Sequence, residues 1–390
     1  MRADLPDPAP VWDDPPDYAF VGGHNCPDTI PFAALAEAAG AALVRHGRDL
    51  ASYNLGGSPL GFEPLRSFVA ESMGRRGATP VHPDEVLITS GSLQALDLVN
   101  RAFLQPGDRV VIEQATYGGT VSRLQAAGVG WRGVALDEDG IVPTDLDRVL
   151  AEMAAEGSPA KFVYTIPTIQ NPTGSIIPAA RRLEILDVVR AHGVPLFEDD
   201  CYADLVWDGE RPPTFRALDD GGGQVVYCGS FSKTIAPSLR VGYLIADQPI
   251  IQQLLALKTD AGTGAVEQLT LAEFAPARFD HHLDRLIPVL QAKCQTMVGA
   301  VEDAFGDDAD VTPPKGGIYV WVTLPDGVDT STFADEAAAV GIEFNPGRGW
   351  SADPEWGARR MRLCFGHVDH DRIEAGVHRL AEVYRAATGR

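Results

Sequence analysis

The middle of the chain alternates between short apolar runs and longer stretches in which apolar residues recur at helical spacing. The apolar runs are rich in Val, Ile, Leu and Phe and lack a polar face, so they predict strands that are buried on both sides. The alternation over residues 64–245 therefore predicts an α/β domain with a mostly parallel sheet. Its strands are expected in EVLITSG, RVVIEQA, KFVYTIP, VPLFEDD, VVYCGS and VGYLIAD.

A different pattern follows in the last third of the chain. Residues 247–305 predict a long helical region. After TPPKGG at 312–317 come a strand in IYVWVTL, a helix in TSTFADEAAAVG, a strand in MRLCFG and a closing helix over about 370–387. This order is typical of a smaller α+β unit. A further helix is predicted at 31–48, ahead of the large domain.

Polar and glycine residues collect directly after four of the predicted strands. Ligands of open α/β sheets bind at the carboxyl ends of the strands, so four ends with matching chemistry predict one shared site. The four groups are Gly91-Ser92-Leu93 after EVLITS, TIQNPTG after FVYTIP, Asp199, Asp200 and Tyr202 after VPLFE, and Ser230, Ser232 and Lys233 after VVYCG.

Two of these groups suit a phosphate. Ser92 stands where a helix begins, and backbone N–H groups there favour an anion, although an ordinary N-cap serine is the alternative. Ser230, Ser232 and Arg240 add hydroxyl and guanidinium donors. Lys233 is then the candidate for a covalent bond to an aldehyde cofactor, with a solvated lysine as the alternative.

The other two groups suit a pyridine ring. Asp199 or Asp200 is placed to pair with a ring nitrogen and keep it protonated; the alternative is a helix N-cap or a surface pair of acids. Tyr202 and Asn171 are placed to hydrogen-bond a ring oxygen. The proline and glycine that follow Asn171 suit a sharp turn, in which the bond to Pro172 can be cis.

Two residues elsewhere complete the predicted site. Tyr117, in QATYGG, is placed either to stack on the ring or to pack in the core. Arg362, in RRMRLCFG, begins a strand of the second unit, where a fixed guanidinium would hold the α-carboxylate of an amino acid. A surface arginine is the alternative, because Arg359 and Arg360 lie beside it.

Composition and charge exclude several classes of protein. The 390 residues carry a net charge of −22, which opposes binding to nucleic acid and to anionic membranes. No apolar run approaches a membrane span, and the acidic, proline-rich N-terminus does not have the pattern of a signal peptide. The cysteines are scattered, which favours free thiols and gives no metal-site spacing. We therefore expect a cytoplasmic protein without a metal and without a nucleic-acid or membrane partner.

These motifs together resemble a known family. The chain is similar to the fold-type I, pyridoxal-phosphate-dependent aminotransferases of class I and II, and looks closest to their 2-aminoadipate/kynurenine aminotransferase branch. The resemblance covers nearly the whole chain. It is carried by FVGGHNCPDTIPF, TSGSLQALDLV, IQNPTG, EDDCY, SFSKTIAPSLRVGY, GGIYVWV and MRLCFG.

The resemblance implies a role for each matching position. Lys233 would bind the cofactor covalently and move the proton, Asp199 would pair with the pyridine nitrogen, and Arg362 would bind the substrate carboxylate. Asn171 and Tyr202 would bind the ring oxygen, with Asn171 also close to the substrate. The remaining cofactor contacts would be Tyr117 on the ring and Ser92, Leu93 (through its backbone), Ser230, Ser232 and Arg240 on the phosphate.

The resemblance also implies an organisation. The chain would form a homodimer with shared active sites, and its small-molecule partners would be an L-amino acid and a 2-oxo acid such as 2-oxoglutarate. Residues 1–48 would form an N-terminal arm and helix that belong with the small domain and the dimer interface. Residues 49–285 would form the large cofactor-binding domain, and residues 286–390 the small C-terminal domain.

Three departures from the family pattern bear on the site. Leu93 stands where relatives have Gln, so only its backbone is left for the phosphate. The segment GGHNC places His24 and Asn25 after Gly23, and all three are expected to face the substrate. In YNLGGSPLGFEPLR, a gapless match puts a glycine where the family has the tyrosine lent to the partner's phosphate site, and Tyr53 is the nearest replacement.

Two other functions compete with amino-group transfer. The same fold supports lyases, decarboxylases and oxidases that use the same cofactor, and a sequence does not show which bond to the α-carbon breaks. A ligand-sensing module behind a DNA-binding domain is the other class. We do not expect it, because the entrance motif begins at residue 20 and the chain is strongly acidic.

Overall fold

The computed structural model describes residues 16–75, 81–219 and 222–390. Residues 1–15 of the predicted N-terminal arm lie outside this part of the chain. The strands in the described part, in chain order, are β1 (Tyr18–Ala19), β2 (Val86–Thr89), β3 (Arg109–Glu113), β4 (Gly130–Val134), β5 (Leu136–Asp137), β6 (Gly140–Ile141), β7 (Val163–Thr165), β8 (Leu196–Asp199), β9 (Val225–Ser230), β10 (Gly242–Ile245), β11 (Asp310–Val311), β12 (Tyr319–Thr323), β13 (Ile342–Glu343), β14 (Asn345–Pro346) and β15 (Arg360–Cys364).

The α-helices alternate with these strands through the first two thirds of the chain and dominate after β10. Within the described residues they are α1 (Phe32–His46), α2 (Glu63–Arg75), α3 (Ser92–Phe103), α4 (Gly118–Ala126), α5 (Pro143–Ala155), α6 (Ala179–His192), α7 (Phe215–Leu218), α8 (Gln248–Leu257), α9 (Ala265–Phe305), α10 (Ala334–Ala339), α11 (Pro354–Gly357) and α12 (His370–Thr388).

The central sheet has the strand order β2-β10-β9-β8-β7-β3-β4. Strands β9, β8, β7, β3 and β4 run parallel to one another, whereas β10 is antiparallel to both β2 and β9. The predicted mostly parallel sheet is therefore confirmed. Strand β4 was not predicted, because GWRGV contains two glycines and an arginine and is only partly buried at the sheet edge.

Helices cover both faces of this sheet, which explains the continuous apolar runs. On one face α5 and α6 pack through Leu146, Val149, Ile185 and Leu186 against strand residues such as Val163. On the same face, residues of α2 and α9 pack on strands β2 and β10. Alternate strand residues such as Val226 and Leu244 point to the opposite face, where they pack with residues of α3, α4 and α8. With both faces covered, the polar ligand-binding groups are left at the strand ends.

The second sheet is antiparallel, with the order β11-β12-β15-β14. Strand β1 joins this part of the molecule by pairing with β13. The helical region predicted over 247–305 consists of two helices, α8 and α9, because residues 258–264 contain two glycines and leave helical geometry. Helix α9 runs through residue 285, where we place the boundary between the domains, and that boundary stays a prediction.

Within the described residues, no helix combines the length and the apolar character needed to cross a membrane.

Candidate active site

A cavity of about 350 Å³ opens where β2, β7, β8 and β9 end. Each of the four predicted strand-end groups contributes to its wall, and the second sheet closes it from the other side. The lining residues are Gly22, Gly23, Ser92, Leu93, Leu96, Tyr117, Gly119, Ile166, Asn171, Asp199, Cys201, Tyr202, Ser230, Ser232, Lys233, Pro237, Arg240, Asn345, Trp350 and Arg362.

Lys233 lies in the turn after β9 and directs its amine into this cavity. Its Nζ donates a hydrogen bond to the carbonyl oxygen of Gly23 at 2.7 Å. Burial is the main cause that lowers the pKa of Lys233, and the positive charges of Arg362 and Arg240 lower it further. A lysine amine of lowered pKa is more readily neutral, which is the form that attacks an aldehyde.

One end of the cavity is built to hold an anion. Helix α3 begins at Ser92, and no side chain caps its N-terminus, so its first N–H groups are free to bind a ligand. The hydroxyl oxygens of Ser230 and Ser232 lie 3.0 Å apart beside it. Gly91 has a φ of 79°, and a Cβ at this position would collide with the guanidinium of Arg240.

Arg240 reaches this end from an unusual backbone conformation. Its φ of 52° is in the left-handed region, which costs free energy for a residue with a side chain. Its guanidinium donates to the carbonyl oxygens of Pro237 at 3.1 Å and Ser90 at 3.2 Å, both of them neutral acceptors. The positive charge of Arg240 thus remains available to an anion between α3 and the two serines.

The two adjacent acids after β8 have different environments. Asp199 lines the cavity, and its Oδ2 accepts a hydrogen bond from the Tyr164 hydroxyl at 2.7 Å. Burial raises the pKa of Asp199, while hydrogen bonds from Cys201 and Tyr164 oppose that shift. Asp200 faces away and pairs with Arg211 at 3.1 Å. Of the two candidates, Asp199 alone is therefore placed to meet a ligand.

Three predicted ring contacts lie between these groups. The Asn171–Pro172 peptide bond is cis. The Nδ2 of Asn171 donates to the Tyr202 hydroxyl at 3.3 Å, so the two polar groups predicted for one ring oxygen lie side by side. The ring of Tyr117 lies over Gly119, where a Cβ would collide with it. Tyr117 thus forms one wall of the cavity.

Arg362, which lies on β15, closes the other end of the cavity. Its side chain is only 2% exposed, and no acidic side chain pairs with it within the described residues. Its acceptors are Oδ1 of Asn171 at 3.2 Å, Oδ1 of Asn345 at 2.7 Å and the carbonyl oxygen of Gly22 at 2.5 Å. The Nε atom is buried without a partner. A buried, uncompensated guanidinium of this kind is a strong anion site.

The entrance segment GGHNC lies beside the cavity. Gly23 does line the cavity, but His24 and Asn25 do not. Asn25 turns its Nδ2 to the backbone carbonyl of Lys233 at 3.3 Å, and the His24 ring packs edge-on to His367. The Asn25 side chain therefore stabilises the backbone of the turn that carries Lys233. His24 and Asn25 are not among the lining residues, and the prediction that they face the substrate stays a prediction.

Tyr53 is not brought to the cavity of its own chain. Its side chain is 83% exposed, and it lies in a short 3-10 turn in which Asn54 and Leu55 both have positive φ. Its predicted contact with the cofactor phosphate of a partner chain stays a prediction.

Comparison with known proteins agrees with this geometry. The class I and II aminotransferase family matches residues 21–380. The chain belongs to this family.

Its relatives include the aromatic-amino-acid aminotransferase 1 of Thermococcus litoralis, which is 33% identical over 94% of this chain and 88% of that protein. The 2-aminoadipate transaminase of Thermus thermophilus is 35% identical over 94% of this chain and 90% of that protein. The crystal structure of Pyrococcus horikoshii kynurenine aminotransferase superposes with a TM-score of 0.89 at 32% identity, covering 95% and 91% of the two chains. The predicted family and branch are confirmed.

The chain is thus a pyridoxal-phosphate-dependent aminotransferase of fold type I. The cavity fits that cofactor, because three groups line it. They are the anion site at the start of α3, the carboxylate of Asp199 and the amine of Lys233. These are the donors and acceptors that a phosphate, a pyridine nitrogen and an aldehyde need. A Cβ at Gly91 would push Arg240 out of this anion site.

Three lining or supporting residues of this aminotransferase were not predicted from its sequence. Trp350 stacks on Arg362 with the guanidinium carbon 3.8 Å from the ring centroid, Asn345 accepts from Arg362, and Tyr164 holds Asp199. Tyr164 lies within the apolar run KFVYTIP, which predicts a buried strand and gives no sign of a polar role. The only signal for Asn345 was a polar residue directly before Pro346-Gly347 in GIEFNPG.

The fold also gathers two thiols beneath the site. The ligand atoms of Asp199, Cys201 and Cys228 all lie within 4.8 Å of one another. The cysteine spacing along the chain did not show this cluster. Cys201 follows β8 and Cys228 lies on β9, and these strands become neighbours only in the folded sheet.

Proposed function

We propose that this cavity is the aminotransferase active site, with Lys233 as the residue that binds the cofactor and Arg362 as the residue that binds the substrate carboxylate. One observation carries the proposal. A lysine amine of lowered pKa and a buried guanidinium without an acidic partner meet in a single cavity. An amino acid substrate presents the complementary pair, an amine and a carboxylate on the same carbon.

The other lining residues would hold the cofactor. The phosphate would bind at the N-terminus of α3 with Ser92 and the Leu93 backbone, together with Ser230, Ser232 and Arg240. Tyr117 would cover the ring, and Asn171 and Tyr202 would bind its oxygen. When bound, pyridoxal phosphate supplies an aldehyde that reacts with amines and a ring that withdraws electrons.

Each polar residue then has a defined task. Asp199 holds a proton on the ring nitrogen, and the hydrogen bond from Tyr164 helps keep that carboxylate ionised. The Nζ of Lys233 removes the α-proton of the amino acid, for which its lowered pKa suits it. Arg362 fixes the carboxylate, so the α-hydrogen is presented to Lys233 in one orientation.

The reaction would transfer the amino group of an L-amino acid to a 2-oxo acid. The names of the relatives point to aromatic amino acids and 2-aminoadipate as the first donors to test. We would mix the holoenzyme with each amino acid and measure the 2-oxo acid formed, with and without 2-oxoglutarate. Without 2-oxoglutarate, we expect one equivalent of 2-oxo acid per active site. With 2-oxoglutarate as the acceptor, we expect continuous turnover. Release of CO₂ or ammonia without a 2-oxo acid would instead indicate a lyase or decarboxylase.

The Lys233→Ala variant is the control for this screen. It should form no 2-oxo acid with any donor, because no amine remains to move the α-proton. Substantial turnover by Lys233→Ala would overturn the assignment of the active site.

We also propose a homodimer with shared sites, in which Tyr53 reaches the partner's phosphate site. Tyr53, Phe32 and Val44 are large apolar side chains that are mostly exposed, at 83%, 72% and 92%. A second copy covering this surface would remove it from water, with about 25 cal/mol gained per Å². Free thiols at all five cysteines support a location in the reducing cytoplasm.

Subunit complementation tests the shared site. Mixing inactive Lys233→Ala chains with inactive Tyr53→Ala chains should restore part of the activity, since one site of each hybrid has both residues intact. Tyr53→Phe should weaken cofactor binding by about tenfold, through the loss of one hydrogen bond to a charged group. No recovery despite proven subunit exchange, together with normal cofactor affinity in Tyr53→Phe, would mean that the phosphate site is completed within one chain or by another residue.

A further inference from the structure

The guanidinium of Arg362 is held entirely by neutral groups. Its three acceptors are the Oδ1 atoms of Asn171 and Asn345 and the carbonyl oxygen of Gly22. The indole of Trp350 covers its face, with the guanidinium carbon 3.8 Å from the ring centroid. This arrangement fixes the plane of Arg362 and leaves its full positive charge uncompensated.

Asn345, on the second sheet, helps to orient the guanidinium of Arg362 by accepting a hydrogen bond from it. It lies on β14 directly opposite Arg362 on β15, in antiparallel register. Its Oδ1 accepts from Nη2 at 2.7 Å, and it also lines the cavity. Arginine has donors only, so the amide oxygen must face the guanidinium. The position therefore needs an acceptor of this size, and an aspartate would satisfy the same geometry with a negative charge.

We propose that Asn345 is a positioning residue that orients Arg362 for the substrate carboxylate and leaves the positive charge of Arg362 uncompensated. The inference rests on the proposed function, in which Arg362 binds that carboxylate. A neutral acceptor orients the guanidinium without competing with the substrate for its charge. An acidic residue at the same place would form an internal ion pair, and a substrate carboxylate would have to displace it.

The Asn345→Asp variant tests this directly, because it changes the charge and almost nothing else in shape. We would measure kcat and KM for the best amino acid donor and the inhibition constant of 3-phenylpropanoate, a carboxylate without an amine. Both KM and the inhibition constant should rise by about tenfold or more, with kcat changed less than about twofold. The reaction with 2-phenylethylamine, an amine without a carboxylate, should not slow.

Asn345→Ala serves as the second variant, since it removes the acceptor without adding a charge. Its KM should rise less than that of Asn345→Asp, because Arg362 then loses orientation but stays uncompensated. If Asn345→Asp does not fold, as judged by circular dichroism, the Ala variant decides. An unchanged inhibition constant for 3-phenylpropanoate in the Ala variant would then overturn the proposal.

Arg362→Ala separates failure of this inference from failure of the proposed function. If Arg362→Ala weakens 3-phenylpropanoate and Asn345→Asp does not, the role of Asn345 is wrong and that of Arg362 stands. If neither variant weakens it, Arg362 is not the carboxylate site. An equal loss with the amine and the amino acid in Asn345→Asp would show a merely structural role.

Discussion

Two arginines, Arg182 and Arg362, are almost completely buried but have opposite electrostatic surroundings. Arg182, in α6, is 0% exposed and lies 3.6 Å from the carboxylate of Glu198, which is also fully buried. Its guanidinium donates to four further oxygens, those of Ile177, Pro167, Pro213 and Thr168. Arg362 is 2% exposed, faces a cavity and has no carboxylate within the described residues.

The comparison shows how structure and function use the same side chain. A buried charge costs several kcal/mol unless a partner compensates it. Glu198 lies beside Arg182 in the folded chain, so this arginine has a carboxylate partner and connects α6 to the sheet. Within the described residues Arg362 has no acidic partner, and we propose that a substrate carboxylate supplies one.

Glu113 extends the comparison to a group that can change its charge. It is fully buried and accepts hydrogen bonds from Thr165 at 2.7 Å, Gln170 at 2.9 Å and the backbone N–H of Ile166 at 3.2 Å. Burial raises its pKa to about 7, against these hydrogen bonds, which lower it. Glu113 can neutralise by taking a proton, whereas arginine cannot, so only Arg362 keeps its charge for a ligand.

The largest effect is expected from breaking the compensated pair. Arg182→Ala leaves Glu198 buried without its partner, so the free energy of unfolding should fall by about 3–5 kcal/mol. Denaturant unfolding of the variant and of Arg181→Ala measures this, because Arg181 pairs with Asp137 at the surface and should cost little. Equal losses in the two variants would remove the contrast between a buried and an exposed pair.

The next effect is expected from the uncompensated arginine, and in activity rather than stability. Arg362→Ala should weaken transition-state binding by on the order of 2–4 kcal/mol, which is measured as a lower kcat/KM. The cofactor absorbance and the free energy of unfolding should stay close to those of the wild type. Arg359→Ala is the control, since Arg359 pairs with the exposed Asp326. An unchanged kcat/KM in Arg362→Ala would transfer the role to Arg348, Arg359 or Arg360.

The smallest of the three effects concerns Glu113 and pH. Its pKa in the folded protein is about 7 and its ordinary value is 4.5, so it stabilises the fold fully below pH 4.5 and loses that contribution as pH rises through 7. The contribution amounts to at most about 3 kcal/mol. Unfolding free energies measured from pH 4.5 to 8 should therefore decline less steeply in Glu113→Gln than in wild type. Parallel pH profiles for the two proteins would contradict the raised pKa.

The sequence predicts the strand-end chemistry well, because strand ends are read from apolar runs and polar residues follow them directly. Lys233, Asp199 and Asn171 were found in this way, and the structure brings their side chains to one cavity. The contrast between Arg182 and Arg362 was out of reach, because each has arginine neighbours in the chain and burial depends on contacts remote in sequence. Asn345 and Trp350 were missed for the same reason, since β14 meets β15 only in the folded sheet.

The entrance segment shows what a motif leaves open. GGHNC predicts that His24 and Asn25 face the substrate, but it gives no sign of the hydrogen bond from the Asn25 side chain to the Lys233 backbone. Side-chain direction in an irregular segment depends on tertiary hydrogen bonds that no local pattern encodes.

The central claim is that Lys233 binds the cofactor, and reductive trapping tests it most directly. Borohydride treatment of the yellow holoenzyme fixes the cofactor on its lysine, and mass spectrometry of the digested protein identifies the labelled peptide. We predict one label per chain, on the peptide that contains Lys233. A label on Lys258 or Lys293, with Lys233 unmodified, would contradict it.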